Sequence, residues 1–453
     1  MALETAIEEL PQDVRDLAKL YFLDGIGVLL AGSKEEAPAL ASRYAQKMGG
    51  HPVCSVFGLG YKTSPPMAAF INGISAHVLD YEPLMRPPTH ATSPVLPAIL
   101  AVCELMHRPG KEALVALVVG YEVQARLRYG AERLEQTHQD LHFHPPGVVG
   151  PIGAAACSAR LLGLNLEQTQ WALGMAASRG GGLIANIGTM CKSSHCGNAA
   201  RMGVEAALLA AEGFTANEQA IEGERGWVKA YYQDHADEYD WGAAKTVCLP
   251  TYRMVSPGFV IKFYPARGDT HAVIELGLEL RREHRLDASH ISEVVLQCPA
   301  NMPLRAISNR PRPSTGLEGK FSYQYCLAAA LLDGHIRLDT FRDERRFRPD
   351  MELLLSKIRL DSHPKSGVTV TVRMDDDRIF QASSDSPMIH LGKPVTLSSR
   401  EAVLLKFRDI ARRVMNTEQV ERAIQLVDDL EHLADLDELF QMMVGTDRLR
   451  DCC

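Results

Sequence analysis

Apolar residues recur three and four positions apart from Val14 to Leu30, a period that predicts an amphipathic helix. The same spacing predicts helices over 65–79, 93–107, 111–127, 150–162, 167–178 and 198–212. Ser93 is expected as an N-cap with Pro94 at the first helical position, and Gly110, Gly163 and Gly213 are placed as helix stops. Alanine pairs and triplets at 154–156, 199–200 and 206–207 leave little side-chain bulk between helix axes, so these helices suit the middle of a bundle.

After about residue 256 the pattern changes. A helix over 270–284 is followed by a strand at 291–297, a helix at 323–332, and alternating strands at 368–373 and 379–382 around an Asp375-Asp376-Asp377 turn. This is an α+β unit. Helical spacing returns at 400–414, 417–426 and 436–443. The expected organisation is a helical part over 1–255, an α+β part over 256–395 and C-terminal helices over 396–453.

Composition sharpens this mainly-α reading. Of the 453 residues 46% are hydrophobic but only 6% aromatic, so small aliphatic residues must fill much of the core. A net charge of -8 argues against sequence-independent nucleic-acid binding. The N-terminus shows no basic and then apolar leader and no apolar run is long enough for a membrane span, so a cytoplasmic protein is expected. Ten cysteines without a C-x-x-C pair read as reduced thiols.

Four polar segments interrupt the helices. His77 and Asp80 share one helical face, although a histidine there is as readily a core residue with its hydrogen bonds met. His90 follows a proline-stiffened loop at a helix start, where carboxylates are favoured. His142 and His144 precede Pro145-Pro146-Gly147, and Lys192 and His195 precede an alanine-rich helix. Lys262, Arg267 and His271 cluster near the change of pattern, where a ligand cleft is plausible.

In this order, Asn72-Gly73 through His77 and Asp80, His90, His144-Pro145-Pro146, Lys192 with His195 and Gly197-Asn198-Ala199-Ala200, Lys262 to Pro265, His271, and Phe321-Ser322-Tyr323-Gln324-Tyr325 resemble the MmgE/PrpD family. That family includes 2-methylcitrate dehydratases, cis-aconitate decarboxylases and an iminodisuccinate epimerase. The resemblance implies a large all-helical domain with a smaller inserted α+β lid domain, a homodimer, and chemistry without metal or other cofactor. It implies catalytic roles for Asp80, His90, His144, Lys192 and Tyr325, with Lys262, Arg267, His271 and His195 as substrate-binding residues. One segment departs from the pattern: Asp80-Tyr81-Glu82-Pro83-Leu84 replaces an Asp-aromatic-Asp-Asp run followed by a hydroxyl residue.

The expected function is a lyase acting on a small polycarboxylate by proton transfer beside a carboxylate, with dehydration ranked ahead of decarboxylation. A neutral-range base and fixed cations serve such a reaction without a metal. Epimerisation of an imino- or aminodicarboxylate would use the same groups. Two rivals come from other classes: a metal-dependent hydrolase using His142, His144 and His195, and a helical protein that binds polycarboxylates unchanged.

Overall fold

The computed structural model describes residues 3–85, 87–138, 142–245, 252–299, 305–363, 367–385 and 400–445. They fall into two compact units. One comprises the described residues up to 186, those of 190–261 and those after 394; the other comprises 187–189 and the described residues of 262–393. Among the described residues, no helix is long and apolar enough to cross a membrane.

Among the described residues, the regular structure of the first unit is helical apart from a two-stranded ribbon, Cys54–Val56 with Tyr61–Thr63. At its centre the helices Pro65–Val78, Thr92–Met106, Pro145–Leu162 and Cys191–Ala211 pack against one another. Their contact depends on missing side chains. A Cβ on Gly73 would lie 2.8 Å from the Gly197 Cα, and one on Gly197 would lie 2.5 Å from the Phe70 carbonyl oxygen. The two helices therefore meet backbone to backbone, a closeness that only glycine permits. Gln12–Gly32 packs on this group on one side and against Arg400–Ala411 on another.

Several helix starts differ from expectation, and the differences bear on the site. Ser93 is not a cap: the helix runs Thr92–Met106 with Ala91 as N-cap, and the Ser93 hydroxyl, inside the first turn, turns to Glu82. The helix expected from 150 starts at Pro145, because Pro145 and Pro146 at its first positions need no hydrogen-bonded N–H. The helix expected from 198 begins at Cys191, which carries Lys192 and His195 out of the loop and onto its first turns. The helix expected over 111–127 is longer, Gly110–His138.

The second unit is built on a four-stranded sheet ordered Ile358–His363, Ile291–Pro299, Val368–Met374, Ile379–Ser384. The first pair is parallel and the others antiparallel. Val368, Val370 and Val372 point into the core and alternate with Thr369, Thr371 and Arg373, as the period of two requires. Helices His271–His284 and Tyr323–Asp333 pack on the sheet and on each other. The strand Ile358–His363 was not among the expected elements; its apolar alternation is short, Ile358 and Leu360 only, before the polar run Asp361-Ser362-His363.

Candidate active site

The C-terminal end of Pro65–Val78 brings His77 against the first turns of Cys191–Ala211 by way of the Gly73–Gly197 contact. Just beyond it the chain turns sharply. Asp80 adopts a φ of 52°, in the left-handed region that few non-glycine residues enter. The turn sends Asp80 towards Lys192 and Glu82 towards His77 and Ser93, with His90 beside both acids.

Asp80 Oδ2 accepts from Lys192 Nζ at 2.8 Å, and Asp80 Oδ1 lies 3.6 Å from His90 Nε2. Glu82 Oε1 meets His77 Nδ1, accepts from the Ser93 hydroxyl, and lies 3.1 Å from His90 Nδ1. Lys192 Nζ also lies 2.8 Å from His77 Nε2. Behind the backbone, Lys406 Nζ donates to the Tyr81 carbonyl at 2.7 Å while pairing with the buried Asp24 at 2.8 Å. The helix Arg400–Ala411 thus holds the peptide between the two acids.

His144 is the N-cap of Pro145–Leu162. Its N–H donates to the Gly182 carbonyl at 2.8 Å, and its Nδ1 lies 3.3 Å from His195 Nδ1. Gly182, with a φ of 114°, gives way to the His195 ring: a Cβ there would lie 2.7 Å from it. The rings of His77, His90 and His144 sit 4.7 to 6.1 Å apart by centroid. All of these side chains are buried.

Burial and neighbouring charge set the protonation of the cluster. Burial, reinforced by the Lys192 charge, holds His77 down to about 3. The same two causes keep His144 well below the ordinary histidine range, and His195 is lowered as well. Burial opposes the charge on Glu82, yet His77 and His90 hold its carboxyl well below the usual carboxylate range. His77, His144 and His195 are thereby held as neutral imidazoles near the ionised Glu82 carboxylate.

Ring nitrogens of His77, His90 and His144 approach within 4.8 Å of one another, a spacing that a transition metal could use. Lys192 already faces the His77 Nε2 atom there. The trio His142, His144 and His195 does not converge: His142 is exposed and lines a separate cavity of about 270 Å³ with Arg128, Tyr231 and Tyr232.

The remaining sequence candidates belong to the second unit. Arg267 Nε pairs with the buried Asp269 at 3.0 Å. His271, buried at the start of its helix, stands edge-on to Tyr264, and Lys262 is buried. The Tyr325 hydroxyl donates to the Thr340 carbonyl within the hydrophobic core of that unit.

Sequence reasoning left His77 and Glu82 out of the site. His77 had a sufficient account as a core residue, and Glu82 registered only as a departure from a pattern. Their common partner Ser93, placed as a cap, was the signal available.

The model of the MmgE/PrpD N-terminal domain matches residues 1–240, and that of the MmgE/PrpD C-terminal domain matches 264–432. The chain belongs to the MmgE/PrpD family. Among its relatives in that family, the cis-aconitate decarboxylase of Homo sapiens is 32% identical over 445 residues, covering 94% of this chain and 90% of the relative. The cis-aconitate decarboxylase of Mus musculus is 31% identical, again over 94% of this chain. That of Aspergillus terreus is 28% identical over 475 residues, 97% of this chain and 93% of the relative.

Proposed function

We propose that this member of the family is a carboxy-lyase acting on cis-aconitate or a closely similar tricarboxylate. The observation that carries the reading is the buried group of neutral imidazoles beside Lys192, in a chain that aligns almost end to end with cis-aconitate decarboxylases. The relatives reverse the order expected from the sequence, in which dehydration came first.

The chemistry suits the groups. In cis-aconitate one carboxylate is carried by the saturated carbon next to the alkene. Breaking its C–C bond releases CO₂ and leaves an electron pair that moves through the allyl system. A new double bond forms at the former CH₂ carbon, and the distal alkene carbon takes up a proton. Each turnover consumes one proton, so the site must deliver an acid to carbon while cations balance the carboxylates. Lys192 supplies fixed charge, and Asp80 orients it. His144, neutral at rest, or His90 gains basicity when a polyanion binds and then delivers the proton. Within the same reading His195 contacts a substrate carboxylate and the assembly is a homodimer. Light scattering should then give a mass near twice 49.8 kDa.

The test is proton and carbon NMR of the protein with cis-aconitate in D₂O. Release of CO₂ with one deuterium fixed at the carbon next to a carboxylate is expected. Loss or gain of water without CO₂, or an unchanged substrate, overturns the reading.

A further inference from the structure

The two nitrogens of the His77 ring face groups with opposite demands. Nδ1 meets Glu82, which as a carboxylate only accepts hydrogen bonds, and Nε2 lies 2.8 Å from the Lys192 ammonium, which only donates. One proton arrangement satisfies both sides. Nδ1 carries the hydrogen and donates it to Glu82, while the Nε2 lone pair accepts from Lys192. The other tautomer would set two donors against each other at Lys192 and a lone pair against the carboxylate.

We propose that Glu82 and His77 are positioning residues that fix the Lys192 ammonium in place through this single tautomer. The Ser93 hydroxyl, donating to the same Glu82 oxygen, holds the far end of the line. A lysine head on a flexible four-carbon stem has no preferred direction of its own. Asp80 on one side and His77 Nε2 on the other give it one.

The groups facing His77 come from four elements: Glu82 and His90 from the segment after its own helix, Ser93 from Thr92–Met106, His144 from the start of Pro145–Leu162, and Lys192 from Cys191–Ala211. Of these, Glu82 and Lys192 make the closest contacts to the two ring nitrogens, and Ser93 Oγ lies 3.4 Å from Nδ1.

The rate arm of the test rests on the carboxy-lyase reading; the spectroscopic arm does not. In full-length protein with ¹⁵N-labelled histidine, the His77 ring should be neutral from about pH 6 to 8. It should carry its hydrogen on Nδ1, with a strongly deshielded proton that Glu82→Gln moves upfield. An Nε2–H tautomer in the unmutated protein, or a Nδ1 proton that Glu82→Gln leaves in place, overturns the proposal.

For the rates, Glu82→Gln and His77→Gln should each lower kcat/KM on cis-aconitate by about ten- to a hundredfold. Both should move the basic limb of the pH profile down by about one unit, and the double variant should fall no further than the worse single. Additive losses on an unmoved pH profile also overturn it. If the unmutated protein releases no CO₂ from cis-aconitate, the carboxy-lyase reading falls and the NMR arm alone decides the relay.

Discussion

Asp80 takes a backbone conformation that costs a non-glycine residue roughly 1 kcal/mol or more, and such strain persists only where surrounding contacts enforce it. Here the enforcing contacts are those of Lys192 and His90. At this scale the strongest prediction concerns His144. Replacing it with Gln in folded protein should lower turnover by a factor of order 10²–10⁴, measured as CO₂ released from cis-aconitate. A second prediction follows from the buried histidines. His77 titrates near 6.5 when unfolded but is held to about 3 when folded, so between those values the unfolded chain binds the extra proton and stability falls as pH falls. Glu82, lowered in the fold, loses its own contribution further down, with the same sign. Urea midpoints should therefore drop from pH 7.5 to 5, with His77 alone contributing on the order of 2 kcal/mol. His77→Gln should flatten that slope. The sequence drew attention to His77, Asp80, His90, His144 and Lys192 as polar groups that interrupt helical patterns, while catalytic roles for all but His77 came from the family resemblance. The place of His77 was not legible, since it depends on Glu82, Ser93 and Lys192 arriving from three other places.

The helices are where most of the fold was legible, because their apolar spacing is local. Their first turns were not. Whether Lys192 lies in a loop or on a helix depends on the packing of Cys191–Ala211 against Pro65–Val78, and nothing in Met190-Cys191-Lys192-Ser193 announces it. Ser93 misled for the same reason: a serine at a helix start is a good local cap, but a buried carboxylate outcompetes the backbone for its hydroxyl. The glycine contact beneath the site offers a test at this scale. Gly73→Ala puts a Cβ 2.8 Å from the Gly197 Cα, and backbone cannot swing aside as a side chain does. We expect a loss of about 1–3 kcal/mol in urea unfolding and a fall in kcat well beyond what that stability change explains, as His77 and Lys192 separate. Unchanged kcat in that variant would show that the helix spacing does not set the site.

Across the first unit as a whole, the acidic turn is held by residues distant in sequence: Asp24 on the first long helix, Tyr81 in the turn, and Lys406 on a helix near the C-terminus. Lys406 also lies over the Tyr81 ring, 3.8 Å from its centroid. Removing it leaves Asp24 buried without its counter-charge, so Lys406→Met should cost about 3–5 kcal/mol in urea unfolding. Adding Asp24→Asn should restore much of that stability. It should not restore the rate, because the Tyr81 carbonyl has still lost its donor; recovery of both together would assign Lys406 to stability alone. The same arrangement has a consequence for the order in which the protein is made. A chain still on the ribosome can have emitted every histidine and lysine of the cluster while residue 406 is yet to be joined, so a prematurely terminated product would carry the reactive groups with their acidic turn unheld. Competence for catalysis would then arrive with the last helices, and a chain truncated before them would lose together the grip on its acidic turn and the part of the core that Val403, Phe407, Ile424 and Phe440 supply.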